Sequence, residues 1–219
     1  MGSPVGRAWW RVVSRQLGGP SGPLGALAAR ALNRGNRVVT TEAVTALGLS
    51  GSETVVDIGF GGGVGIDLLL AHLHPWGHVH GVDPSRSMVR RTRRRHRDEI
   101  AADTLTVHQG SMQALPFSDG QLDGWISLNT IYFVPDLAPA ARELRRVLAP
   151  TGCGVLGVAD PDWMRAQPFT REGFTLRPLD EDVAALEAAG LRVERRTVAD
   201  ARMPVPYHLL VCRPGGLPT

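Results

Sequence analysis

The sequence contains no lysine. All 24 basic residues are therefore arginine, set against 21 acidic residues for a formal net charge of +3. That absence excludes the phosphate-binding loop G-x-x-x-x-G-K-[ST], whose lysine reaches the outer phosphates. So small an excess of charge does not by itself imply a nucleic-acid partner. Cysteine is scarce as well. Cys153 and Cys212 are the only two, too few and too far apart for a disulfide framework or a metal-ligand spacing. A reducing, cytoplasmic compartment is the expectation. No run of roughly 18 apolar residues occurs, so no membrane-spanning helix is expected. The apolar stretch around Trp9 and Trp10 is too short for a signal peptide.

What is present is alternation. A chain of 219 residues, 43% hydrophobic, suits one α/β domain spanning 1–219. Residues 1–35 are punctuated by glycine and proline and contain a short Leu/Ala helix over 24–32. They are expected to fold over the ligand edge as a helical lid. A second helix covers 36–47 and closes at Gly48. From residue 53, short apolar runs at 54–59, 78–83, 105–110, 122–129 and 153–160 read as buried strands. Between them lie helical patterns at 64–74, from a cap at Ser85 to about 101, and at 136–148. Residues 161–178 connect to a helix over 179–190, and strands over 191–198 and 207–212 complete the set. Strands alternating with helices imply a doubly wound, mostly parallel, seven-stranded α/β sheet of Rossmann-like type. The last two strands have no helix between them, so they form a hairpin with one antiparallel strand.

The first strand ends in Asp57, Gly59, Gly61, Gly63 and Gly65 and leads into a helix. Glycine lets backbone approach a ligand closely, and the helix start offers free N–H groups. The dinucleotide pattern G-x-G-x-x-G fails, because Val64 or Ile66 stands where its third glycine is required. A tight strand–helix turn without ligand is the alternative for the loop alone. The pattern D-x-G-x-G-x-G does fit, and with it the chain resembles the class I S-adenosylmethionine (SAM)-dependent methyltransferases over about residues 53–212.

That resemblance implies SAM as cofactor and S-adenosylhomocysteine as product. It implies that Asp57 supports the methionine amino end, and that Gly59, Phe60, Gly61 and Gly63 lie against the ligand. Asp83, closing the second strand, would hold the ribose hydroxyls, since a carboxylate can accept two hydrogen bonds. Pro84, Ser85 and Met88 would flank the adenine, with Gly110, Ser111 and Met112 beside it. Ser111 departs from the family, in which an aspartate is common there. Phe60 stands where many members have a smaller residue. Asn129 and Thr130 would lie near the methionine part. Tyr132 and Phe133 would border an acceptor pocket.

No residue stands out as a general base. Tyr132 and His208 are weak catalytic candidates, with Tyr207 and His108 behind them. The connection 161–178 carries Trp163, Arg165, Arg171 and Arg177 among further aromatics. Arginine forks bind carboxylates and aromatics supply an apolar wall, so these residues are expected to bind an acidic, natural-product-like acceptor, with O-methylation as the expected reaction. A small molecule or peptide is the expected acceptor. An RNA or protein methyltransferase, and a non-catalytic SAM-binding protein, remain the alternatives. The arginine run at 90–97 lies mid-helix without interleaved aromatics and reads as a solvated helix face, against a nucleic-acid partner. His72, His74, His78 and His80 fall at a helix–strand turn away from the ligand edge, and no metal site is expected.

Overall fold

The computed structural model describes residues 37–73, 75–167, 170–171, 173–199 and 206–215. The expected lid over 1–35, and His74, lie outside the described residues. Helix α1 covers 37–47. It is followed by β1 (Thr54–Ile58), α2 (Val64–Leu73), β2 (His78–Asp83), α3 (Arg86–Arg95), α4 (Arg97–Ala101) and β3 (Leu105–Gln109). The second half contains β4 (Leu122–Leu128), α5 (Leu137–Val147), β5 (Leu148–Ala159), α6 (Pro161–Ala166), α7 (Leu179–Ala188), β6 (Leu191–Val198) and β7 (Tyr207–Pro214).

The seven strands form one sheet in the order β3-β2-β1-β4-β5-β7-β6. The pairings from β3 through β5 are parallel, whereas β7 runs antiparallel to both β5 and β6. Side chains alternate between two apolar layers. On one face, Val55, Val79, Val107 and Ile126 meet Ala43 and Leu47 of α1, Ile66 and Leu69 of α2, and Met88 and Val89 of α3. On the other, Val56, Ile58, Trp125 and Leu156 meet Leu144 of α5, Met164 of α6 and Leu186 of α7. Burying strand residues on both faces explains their near-continuous apolar runs.

Two boundaries differ from the sequence pattern. The helix expected from Ser85 to about residue 101 breaks at His96, whose φ of −111° and ψ of 37° leave the helical region. The buried His96 ring sits 3.3 Å from Asp67 of α2 and 3.6 Å from Glu99. The fifth strand begins at Leu148 rather than Cys153. Leu148 already pairs with Leu122, and the register then shifts before Gly124 meets Cys153. Pro150 has no N–H for the ladder and lies within the stretch of β5 where the register shifts.

Candidate cofactor and acceptor site

Strand order reverses at β1: β2 and β3 lie to one side, β4 and β5 to the other. In open α/β sheets ligands bind beyond the carboxyl ends of the strands at such a switch point. The glycine loop lies there. Gly59 has φ +73°, and a Cβ on it would overlap the Thr130 side chain. Its N–H donates to Val82 O at 2.7 Å, joining the ends of β1 and β2. Gly61 and Gly63 also hold left-handed backbone, at φ +48° and +82°. The chain thereby turns tightly and presents the start of α2 to the edge.

Two buried carboxylates stand at this edge. Asp57 lies under the loop against the first turn of α2, so close to Gly65 that a Cβ there would meet its oxygen. The Ile66 N–H donates to it. Burial, reinforced by the neighbouring charge of Asp83, pushes the Asp57 carboxyl up to about 7. Asp83 accepts the Gly61 N–H at 2.9 Å and the Ser85 N–H at 2.8 Å. Burial raises its carboxyl as well. Each of its oxygens retains a second lone pair, which suits a pair of hydroxyl donors.

The remaining residues of the expected cofactor site divide into two groups. Pro84 is exposed and Ser111 half-buried at the edge, and Gly110 donates its N–H to Asp83 O at 3.2 Å. Ser85 caps α3 by accepting the Met88 N–H at 3.4 Å. Asn129 takes left-handed backbone at φ +57°, an uncommon conformation for a residue with a side chain. Thr130 donates its hydroxyl to Ile58 O and Leu128 O, binding the loop after β4 to β1. Phe60, Met88 and Met112, by contrast, are buried in the core. The Phe60 ring packs against Gly81 of β2, so its side chain serves the core and its backbone the loop.

On the acceptor side, the Tyr132 hydroxyl accepts the Ala159 N–H at 2.7 Å and donates to Asn129 Oδ1 at 3.5 Å. The Asn129 amide donates in turn to the Tyr207 hydroxyl at 3.4 Å. Burial raises the Tyr132 phenol far above its ordinary range, so it is unsuited to take a proton. The His208 Nε2 lies 3.4 Å from Asp160 and its Nδ1 3.4 Å from the Thr197 hydroxyl. The other oxygen of Asp160 caps α6 by accepting the Trp163 N–H at 2.9 Å. His208 is thus a brace between β7 and α6. His108 packs instead with His80 and Phe117, at ring separations of 5.4 and 5.6 Å.

Phe133 is 38% exposed, and its ring lies tilted against Phe174 with centroids 4.9 Å apart. Trp163 is half-buried against the core. The three arginines expected to meet an acidic acceptor have different surroundings. Arg177 pairs with buried Asp182 at 2.9 Å and donates to the carbonyls of Ile131, Val134 and Pro135. Arg165 is ion-paired with Asp162. Arg171 is exposed on a turn. Sequence reasoning missed Asp182, for which no pattern signals a buried partner. It also missed Asp160, although an aspartate before Pro161 is a legible helix start. Among the described residues no group of three or more His, Cys, Asp or Glu is arranged to hold a metal ion.

Comparison with known proteins agrees with this geometry. Residues 56–156 match the family model for the methyltransferase domain. The chain is 31% identical over 171 residues to the bifunctional biotin biosynthesis protein BioHC of Teredinibacter turnerae, covering 72% of this chain and 30% of that one. It is 25% identical to YdaC of Bacillus subtilis, an uncharacterised methyltransferase, covering 77% of this chain and 93% of YdaC. The curated relatives first matched are longer, and the chain spans between about a third and a half of their length. A SAM-dependent methyltransferase of Aquifex aeolicus has the same fold, with a TM-score of 0.68 at 20% identity over 84% of this chain and 96% of that one. In glycine motif, in strand order and in the methyltransferase-domain match over residues 56–156, the chain is similar to the class I SAM-dependent methyltransferases.

Proposed function

We propose that the protein binds SAM across the carboxyl ends of β1, β2 and β4 and transfers its methyl group to a small-molecule or peptide acceptor entering over Phe133 and Phe174. The observation that carries this reading is the linked pair of buried carboxylates, Asp57 and Asp83, on either side of a glycine loop with left-handed backbone. Asp57 would face the cationic amino group of the methionine part, and Asp83 the ribose hydroxyls. Asn129 and Thr130 would border the sulfonium. When bound, SAM supplies an already activated methyl electrophile. The protein then has to align the acceptor and exclude water, which is catalysis by proximity and orientation. The acceptor's nucleophile forms the new bond to carbon as the carbon–sulfur bond breaks, and S-adenosylhomocysteine leaves.

Among the described residues, neither Tyr132 nor His208 is placed to take up a proton at this edge. The Tyr132 phenol is held protonated, and both ring nitrogens of His208 face protein partners. An acceptor that is already nucleophilic near neutral pH fits best. The Phe133–Phe174 pair favours one with an apolar body. An acidic group on it would rest on Arg171, since Arg165 and Arg177 have carboxylate partners of their own.

Calorimetry with SAM, S-adenosylhomocysteine and NAD tests the cofactor, and a radiolabelled methyl-transfer screen over neutral and acidic acceptors tests the activity. Binding of both sulfur ligands, no binding of NAD and turnover on a small apolar acceptor are expected. NAD binding without a response to either sulfur ligand refutes the cofactor assignment. SAM binding without turnover on small molecules, RNA or protein would make the chain a non-catalytic SAM binder.

A further inference from the structure

Helix α3 is built almost wholly from one charge. Six of its ten residues are arginine and none is acidic. Arg86, Arg90, Arg91, Arg93, Arg94 and Arg95 are all exposed. Among the described residues only Arg95 has a carboxylate partner, Asp67 of α2. Arg86 reaches the Gln109 side chain and Arg93 the Val107 carbonyl, both neutral. Arginines four apart at 86–90, 90–94 and 91–95 repel one another, and a cation in the first turn opposes the helix dipole. The helix nevertheless holds because Met88, Val89 and Thr92 are buried beneath it.

We propose that this face of α3 docks on double-stranded DNA through the phosphate backbone. Its apolar residues are all engaged inside, so nothing remains to insert into a lipid surface or to form the apolar centre of a protein interface. No aromatic side chain lies on α3, so it offers no aromatic platform for base stacking, the usual mode of single-strand binding. A duplex presents only backbone and groove edges. The B-form major groove admits an α-helix, whereas that of A-form RNA is too narrow for side chains to read. Guanidinium forks suit phosphate oxygens. Binding would relieve the repulsion along the helix. This surface is independent of the methyl-transfer reading.

The test is anisotropy of a fluorescein-labelled 20-base-pair DNA, titrated with the full chain between 50 and 200 mM salt. Arms with RNA duplex and with phosphatidylserine vesicles run beside it. Three uncommitted arginines, Arg90, Arg91 and Arg94, predict a slope of log affinity against log salt of about −2.7, or a loss of roughly 40-fold across that range. The triple variant Arg90→Gln, Arg91→Gln, Arg94→Gln should lose the binding and its salt dependence. Its affinity for S-adenosylhomocysteine should be unchanged. Its thermal midpoint without DNA should be equal or higher, because repulsion has been removed. The proposal is overturned by absence of DNA binding at 50 mM salt, by triple-variant affinity within twofold of wild type, or by tighter binding to the RNA duplex or the vesicles.

Discussion

Replacing Asp57 with asparagine should make the empty protein more stable above neutral pH while weakening its hold on SAM. Asp57 is buried beneath the glycine loop beside a second carboxylate, and its pKa is raised from 3.8 to about 7. The folded state therefore keeps a proton that the unfolded state releases near pH 4. Stability contributed by this group is fully present below the unfolded value and is lost as pH rises through about 7. At roughly 1.4 kcal/mol for each pH unit, that loss is on the order of a few kcal/mol at pH 8. Asparagine is nearly the same size, can still accept from the Ile66 N–H and carries no charge to desolvate. Denaturant unfolding of wild type and Asp57→Asn between pH 4 and 9 measures the difference. The gap should be small near pH 4 and widest above pH 7. Calorimetry with SAM should show the variant bound more weakly. Equal stability at pH 8 would refute the claim that burying the Asp57 carboxyl costs the fold stability above neutral pH.

Arg177→Ala leaves Asp182, only 3% exposed, without its ion partner and releases three carbonyls of the segment after β4. Removing one side of such a pair costs about 3–5 kcal/mol, so a fall of that size in unfolding free energy is expected, and a surface-like change below about 0.5 kcal/mol would contradict it. His80 has its pKa lowered from 6.5 to about 3, by burial first and then by His78 and His108. The unfolded chain gains a proton there below pH 6.5 while the folded chain does not, so stability should fall as pH drops from 6.5 towards 3. His80→Gln should flatten that slope in thermal melts at pH 7.5 and 5, and an unaltered slope would exclude His80 as its source.

Much of the architecture was legible because apolar runs and glycines report it directly. Thr54–Ile58 is buried on both faces and reads as a central strand, and Ser85 caps its helix as its sequence position suggests. The hairpin of β6 and β7 follows from the missing helix between them. The break at His96 was not legible, since neither glycine nor proline marks it in the sequence. The roles of the three arginines were equally hidden. Residue type predicts that a guanidinium seeks an oxygen anion, but not whether that anion is Asp182, Asp162 or an acceptor. For the same reason the resemblance placed Phe60 and Met88 near the ligand edge, while the direction of their side chains needed the packing of the sheet.

The strand order β5-β7-β6 has a consequence for how the chain completes itself during synthesis. β6 is made first, yet its hydrogen-bonded neighbour in the sheet is β7. Until Tyr207–Pro214 emerges, β6 has an unsatisfied ladder and β5 an open edge at the centre of the future sheet. The exposed Arg192, Glu194, Arg195 and Arg196 supply charge of the kind that discourages a waiting strand from pairing with another chain. Insertion of β7 then adds two strands in one event. A chain interrupted before Tyr207 would lose both, leaving a five-stranded sheet with the antiparallel edge of β5 uncovered.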